Sequence, residues 1–187
     1  LIEHNTLAHN SRADVGHSVL TFDTRNAVMQ YNEAYGNTGS LDDTDRGGFD
    51  ADFKCENTII QYNYSHGNHW FCGIMRKYNR NVTIRYNVSI NELLGAYLYG
   101  FPAEVGLENV QVHDNIHYFG EGLKASIFPS PRLMRTPINT CFRDNVFIFA
   151  SPGEWGVDPD PSCEFEGNTF LNVPPLGSGA GTDTCQV

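Results

Sequence analysis

Apolar and polar residues alternate over short stretches of this chain, and the stretches recur along its length. Val82 and Ile84 bracket Thr83 and are followed by Arg85, while Val110 and Val112 bracket Gln111 and are followed by His113. A period of two in segments rich in β-branched and aromatic residues predicts strands with one buried face. Val28-Met29-Gln30-Tyr31 and Thr58-Ile59-Ile60-Gln61-Tyr62 read the same way. Each of these strands begins just after an asparagine-containing turn, at Arg25-Asn26, Glu56-Asn57, Arg80-Asn81 and Glu108-Asn109. Asparagine tolerates the left-handed conformation such turns need. A second strand follows in the third and fourth units, His69 to Met75 and Leu94 to Tyr99. Helical signals are poor: there is no sustained three-four periodicity, and Asn and Gly are frequent.

The strands belong to a repeated phrase. Ile2-Glu3-His4-Asn5, Met29-Gln30-Tyr31-Asn32, Ile60-Gln61-Tyr62-Asn63 and Ile84-Arg85-Tyr86-Asn87 share an apolar residue, two polar or aromatic residues and an Asn. Val112 to Asn115, Phe142 to Asn145 and Phe165 to Asn168 continue it more loosely. By subtraction, the seven asparagines are 27, 31, 24, 28, 30 and 23 residues apart. A unit of that size recurring along a whole chain indicates a solenoid. The expected fold is all-β, a parallel β-helix of about seven rungs and roughly 34 Å of coil at the β spacing. It covers residues 1–173, with an irregular tail over 174–187. Asparagines at equivalent corners are expected to stack and hydrogen-bond as a ladder. The rungs elongate at Thr38 to Phe49, Pro102 to Gly106, Phe128 to Pro137 and Gly153 to Ser162, and in solenoids such insertions gather on one face and build the binding site.

Composition narrows the partners. With 22 acidic and 12 basic residues the chain carries a formal charge of −10. That disfavours nucleic acid, which needs clustered Lys and Arg, and no apolar run approaches a membrane span. The chain opens inside a repeat, whereas a solenoid normally carries a cap at each end. The expectation is that Leu1 is not the natural start, and that open strand edges allow end-to-end self-association. Cys141, Cys163 and Cys185 are each 22 residues apart, so neighbours fall about one rung apart, close to the separation a disulfide bridges. One bridge there, or buried free thiols, are both consistent with the pattern. Cysteine usage points to a secreted or periplasmic location.

The chain resembles the right-handed parallel β-helix superfamily, the pectate-lyase-like fold, through its Asn-centred repeats. The phrase from Gly47-Gly48-Phe49-Asp50-Ala51-Asp52 into Thr58 to Asn68 is similar to one common in bacterial secreted β-helix proteins. The resemblance implies the company of polysaccharide lyases, glycoside hydrolases and uronan epimerases, with some adhesins and phage spikes. The chain departs from two of these families. The arginine-and-proline phrase of the lyases is missing, and Asp42-Asp43 lacks the glycine that precedes the paired aspartates of polygalacturonases.

Candidate chemistry concentrates just before the third repeat. In Phe49-Asp50-Ala51-Asp52-Phe53-Lys54, alternation sends Phe49, Ala51 and Phe53 inward and Asp50, Asp52 and Lys54 outward. Residues two apart on a strand lie about 6.6 Å apart, a scale suited to acid–base work on a glycosidic bond. With Asp42, Asp43 and Asp45 on the preceding loop, the same acids suit a hard cation, calcium, the one cofactor the sequence suggests. The alternative is a solvated edge balanced by Lys54 and Arg46. If Asn57 stacks on Asn81, Arg76 neighbours Asp52, and one rung further Tyr97 and Tyr99 present two phenols on the same outer face for sugar binding. His66 and His69 flank a corner, His66 as a base and His69, with Trp70 and Arg46, as substrate contacts. The sequons at Asn63, Asn81 and Asn87 are read as by-products of an Asn-rich repeat. The expected function is polysaccharide degradation in a groove on the β-helix face, by hydrolase chemistry with Asp50 and Asp52 as acid and base, or by lyase chemistry in which Arg76, Lys54 or a tyrosine takes the proton and a cation or Arg46 stabilises the enolate. The alternative is a non-catalytic fibre-forming or carbohydrate-binding module.

Overall fold

The computed structural model describes residues 1–10, 16–39, 46–100, 106–129 and 136–176. Every element in them is a strand, and every strand pairing is parallel, each strand lying beside its equivalent one repeat away. The chain is thus a parallel β-helix with three sheets. Sheets A and B hold seven strands each and sheet C holds six. The expected count of about seven rungs is met in the first two sheets.

Inside the coil, the inward residues of successive rungs stack in columns. On sheet A the inward column runs Ile2, Met29, Ile60, Ile84, Val112, Phe142 and Phe165, each paired with the next in register. It changes from aliphatic to aromatic toward the C-terminal end, where Phe142 and Phe165 stack with centroids 4.9 Å apart. On sheet B the inward column is Leu7, Ala34, Ser65, Ser89, His117, Phe147 and Phe170. Close packing makes this core directional: a residue is buried by its own rung and by the two rungs beside it.

The corners divide sharply into two kinds. Sheet A passes to sheet B through two residues in every turn: 4–5, 31–32, 62–63, 86–87, 114–115, 144–145 and 167–168. The first of each pair has a positive φ, from 52° at Asp144 to 62° at Gly167. The second is the ladder Asn. Asn32, Asn63, Asn87, Asn115 and Asn145 are buried. Asn63 Nδ2 donates to Asn87 Oδ1 at 3.0 Å and to the Met29 carbonyl at 3.0 Å, and its backbone N–H also donates to Asn87 Oδ1, at 2.9 Å. The pattern repeats from Asn5 to Asn168. An outer ladder of Asn26, Asn57, Asn81 and Asn109 turns sheet C into sheet A, exposed and with one side-chain bond per step.

The passages into and out of sheet C vary instead. Strand Thr6–Ala8 reaches Val19–Thr21 across residues 9–18, and Glu33–Tyr35 reaches Gly47–Ala51 across 36–46, whereas Tyr64–His66 reaches Trp70–Met75 across 67–69. Leaving sheet C, 101–106 and 129–139 are longer than 76–78. Every elongation foreseen in the sequence therefore borders sheet C. At the chain's end Trp155 Nε1 donates to the Pro174 carbonyl at 2.9 Å and Leu176 packs on the core, while 177–187 lie outside the described residues.

Cys141 is disulfide-bonded, whereas Cys55, Cys72 and Cys163 are buried free thiols. A bridge involving Cys163 is thereby ruled out, and Cys185 lies outside the described residues.

Candidate functional site

Sheet C carries the candidate site on its outer face. Strand Gly47–Ala51 pairs with Val19–Thr21 on one side and Trp70–Met75 on the other. Phe49 and Ala51 point into the core, as the alternation requires, and Asp50 points away from it, in register with Leu20 and Gly73. This outer face is covered all the same. Asp50 is 1% exposed, and Trp70, Met75 and Leu98 form a second apolar cluster against which Phe53 and Leu94 pack.

Two glycines make room for it. A Cβ on Gly73 would sit 2.6 Å from Asp50 Oδ1, and one on Gly47 would meet Trp70 Nε1 and His17 Nδ1. The Asp50 carboxylate and the Trp70 indole therefore lie flat along the sheet. His17 holds the acid: its Nε2 is 3.2 Å from Asp50 Oδ2, and its Nδ1 accepts the Gly47 N–H at 3.2 Å. Because Nδ1 is the acceptor, the neutral ring carries its proton on Nε2 and donates to Asp50. Arg46 and His69 complete the cluster at 3% and 0% exposure. The Arg46 carbonyl accepts from the His69 N–H at 3.1 Å, its guanidinium donates to the Thr38 carbonyl at 3.1 Å, and the His69 and Trp70 rings lie 5.7 Å apart. The indole N–H of Trp70 is buried with no acceptor among the described residues.

The structure thus gathers four residues singled out in the sequence, Arg46, Asp50, His69 and Trp70. It adds His17, which the sequence reading passed over. The signal that could have found it is weak: a histidine in the excursion preceding the strand that pairs with Asp50's own.

Other candidates lie elsewhere. Tyr97 and Tyr99 do not reach the outer face. Both are fully buried in the core, where the Tyr97 hydroxyl meets His117 Nε2 at 2.8 Å and Tyr99 donates to Thr140 Oγ1 at 2.8 Å. Burial pushes both phenols well up and holds His117 neutral, down to about 3. His66 sits on sheet B, stacked on Tyr35 at 4.7 Å, with Nε2 3.2 Å from Glu33 Oε1. It is a surface-ladder histidine, not a neighbour of Asp50.

Arg76 stands one residue out of strict register with Asp52. Asn57 does bond Asn81, 24 residues on, but Ala51 pairs with Ile74, only 23 on, so the two strands differ by one residue across the corner. The charge of Arg76 also helps hold Asp160 low, after the Ser162 backbone and side chain. Phe53 leaves the alternation, joining the outer apolar cluster with Lys77 Nζ 5.5 Å from its ring. Lys54 lines a separate groove of about 320 Å³ with Arg25, Glu56, Tyr78 and Arg80. Asp42, Asp43 and Asp45 lie outside the described residues, and among those described no three His, Cys, Asp or Glu side chains gather as a metal site.

Chemically, the cluster offers a carboxylate removed from water, a histidine holding it, a buried guanidinium on the passage into the same strand and an indole N–H over Gly47. A buried acid of this kind is what proton transfer to a leaving oxygen requires. No family model, curated protein or solved structure matches the chain, so what is shown of its kind is the parallel β-helix itself.

Proposed function

We propose that the protein is a polysaccharide-cleaving enzyme whose reaction takes place on the outer face of sheet C, by hydrolysis with Asp50 as the acid–base group. The observation that carries this reading is the Asp50–His17 pair: a carboxylate at 1% exposure, on the solvent side of a solenoid sheet, over a glycine that leaves room for it. Such a group has a large desolvation cost in its charged form unless it is put to use or fully compensated. His17 fixes its orientation. Asp52, two residues on, is the second carboxylate that hydrolysis calls for. Arg46, His69 and Trp70 supply hydrogen bonds and an aromatic face for sugar. The passages bordering sheet C vary while the opposite corner stays at two residues per turn, which supports placing function on this side.

A second reading, carbohydrate binding without turnover, is favoured by the closure of the cluster, whose side chains from Arg46 to Trp70 are almost wholly covered. Incubation with neutral and uronate-containing polysaccharides, with and without calcium, separates the two. Hydrolysis predicts new reducing ends without the ultraviolet absorbance of unsaturated uronates. Absorbance would instead mean lyase chemistry, and no product from any glycan that the protein binds would leave the binding reading in place.

A further inference from the structure

A second surface lies on the opposite side of the coil, at the tight corner between sheets A and B. The residue before each ladder Asn has positive φ, which costs little for Gly, Asn or Asp and more for a bulky side chain. Toward the C-terminal end the chain uses Asp114, Asp144 and Gly167 there. In the second to fourth turns it uses Tyr31, Tyr62 and Tyr86, at φ of 54°, 54° and 55°. These rings stack in a column with centroids 5.3 and 5.2 Å apart and planes within 12°, yet each remains 42–49% exposed. Their stacked faces are used up in one another, so edges and hydroxyls point to solvent. None of the three hydroxyls bonds to protein among the described residues. Beside them Tyr64 and Val88 stand out from sheet B, and the two columns enclose an open groove of about 660 Å³ along the coil axis.

We infer that this groove binds a neutral, extended, β-1,4-linked glycan chain lying parallel to the solenoid axis. Three features choose that occupant. A flat β-1,4 chain advances by one sugar ring per residue, a step comparable with one rung, so successive sugars meet successive phenols, each able to donate and accept. Among the described residues, the only ionisable side chain lining the groove besides the phenols is Glu33, paired with His66 at 3.2 Å; the nearest cation recorded at the tyrosine column is Arg85, 5.6 Å from the Tyr86 centroid and outside the lining, in a chain of net charge −10. A polyanion is therefore disfavoured. A second protein copy fits poorly, because the surface is three rungs long and two side-chain columns wide, short of the roughly 800 Å² per partner of a stable dimer. Bulky residues kept in a costly backbone conformation at an exposed corner point the same way.

The inference shares a substrate class with the proposed function but not its site, and one set of variants separates them. Binding of cellohexaose and mannohexaose is measured by calorimetry for the wild type, Asp50→Asn and the triple variant Tyr31→Asn, Tyr62→Asn, Tyr86→Asn. Asparagine keeps the left-handed corner foldable, and circular dichroism melting confirms the fold. The expected result is binding of at least one hexamer that weakens tenfold or more in the triple variant and is retained in Asp50→Asn. Binding by neither hexamer, or equal binding by the triple variant, overturns the inference, whatever Asp50→Asn does to turnover. Loss of a wild-type dimer in the triple variant, without glycan binding, would assign the groove to self-association and also overturn it.

Discussion

Removing one rung of the buried ladder, by Asn87→Ala, tests how much of the stability resides in the corner asparagines. Asn87 Oδ1 accepts from the Asn63 N–H at 2.9 Å and from Asn63 Nδ2 at 3.0 Å, while its own Nδ2 donates to the Ile60 carbonyl and to Asn115 Oδ1, both at 2.9 Å. Four side-chain bonds are lost together. At a net value near 1 kcal/mol each, the cost is about 4 kcal/mol, and a buried N–H of Asn63 left without an acceptor pushes it upward. That is a large share of the roughly 5–15 kcal/mol that holds a domain folded. Asn81, in the outer ladder, is exposed and bonds Asn57 and Asn109 by single contacts at 2.9 Å. Asn81→Gly keeps its positive φ, and the expected cost is below about 1 kcal/mol. Urea denaturation of the two variants beside the wild type reads both numbers. Equal destabilisation by Asn87→Ala and Asn81→Gly, or a cost under about 1 kcal/mol for Asn87→Ala, would refute the assignment of the inner ladder as the main polar support of the coil.

Two further outcomes follow from buried titratable groups. The Asn10 N–H donates to Asn37 Oδ1 and the Asn37 N–H to Asn68 Oδ1, and Glu92 continues this third ladder, accepting from the Asn68 N–H at 2.6 Å and the Ser65 hydroxyl at 2.5 Å; burial, opposed by these bonds, raises it from 4.5 to about 7. Since its folded value lies above its unfolded one, the protonated form favours folding. Stability is full below about pH 4.5 and falls as pH rises toward 7, by up to about 3 kcal/mol; Glu92→Gln should abolish that slope in urea titrations at pH 5 and 8, and a slope unchanged in the variant would refute it. The thiols of Cys55, Cys72 and Cys163 are buried, and burial pushes all three up, Cys163 to about 12. Native protein should therefore leave a disulfide reagent such as DTNB unreacted until denaturant is added, whereas prompt labelling of any thiol would contradict the packing.

How far the sequence could carry this account is clear from particular residues. The inner ladder is legible because each turn writes the same word, and Asn63 is a corner of the coil, as its repeat position predicts. Asp50 was readable because Phe49 and Ala51 flank it with unambiguous apolar residues. The next strand was not. Gly95–Gly100 is buried on both faces, and alternation carries no direction when Ala96 and Leu98 are as apolar as Tyr97 and Tyr99 are large. Arg76 falls one residue from the register its corner suggests because corner and strand count residues differently, 24 against 23. His17 sits in an excursion outside the repeat, where no periodicity reports which strand its side chain will meet. The tyrosine column was visible as part of the repeated phrase, but its cost was not, since only the backbone shows Tyr31, Tyr62 and Tyr86 at positive φ.

The most direct test of the proposed function is the cleavage rate of Asp50→Asn on a polysaccharide that the wild type degrades, compared at equal folded concentration. If Asp50 is the acid–base group, the variant loses at least about a hundredfold in rate, while circular dichroism melting shows it still folded at the assay temperature. A variant that cleaves as fast as the wild type would contradict the account and leave the cluster on sheet C as a structural ion network.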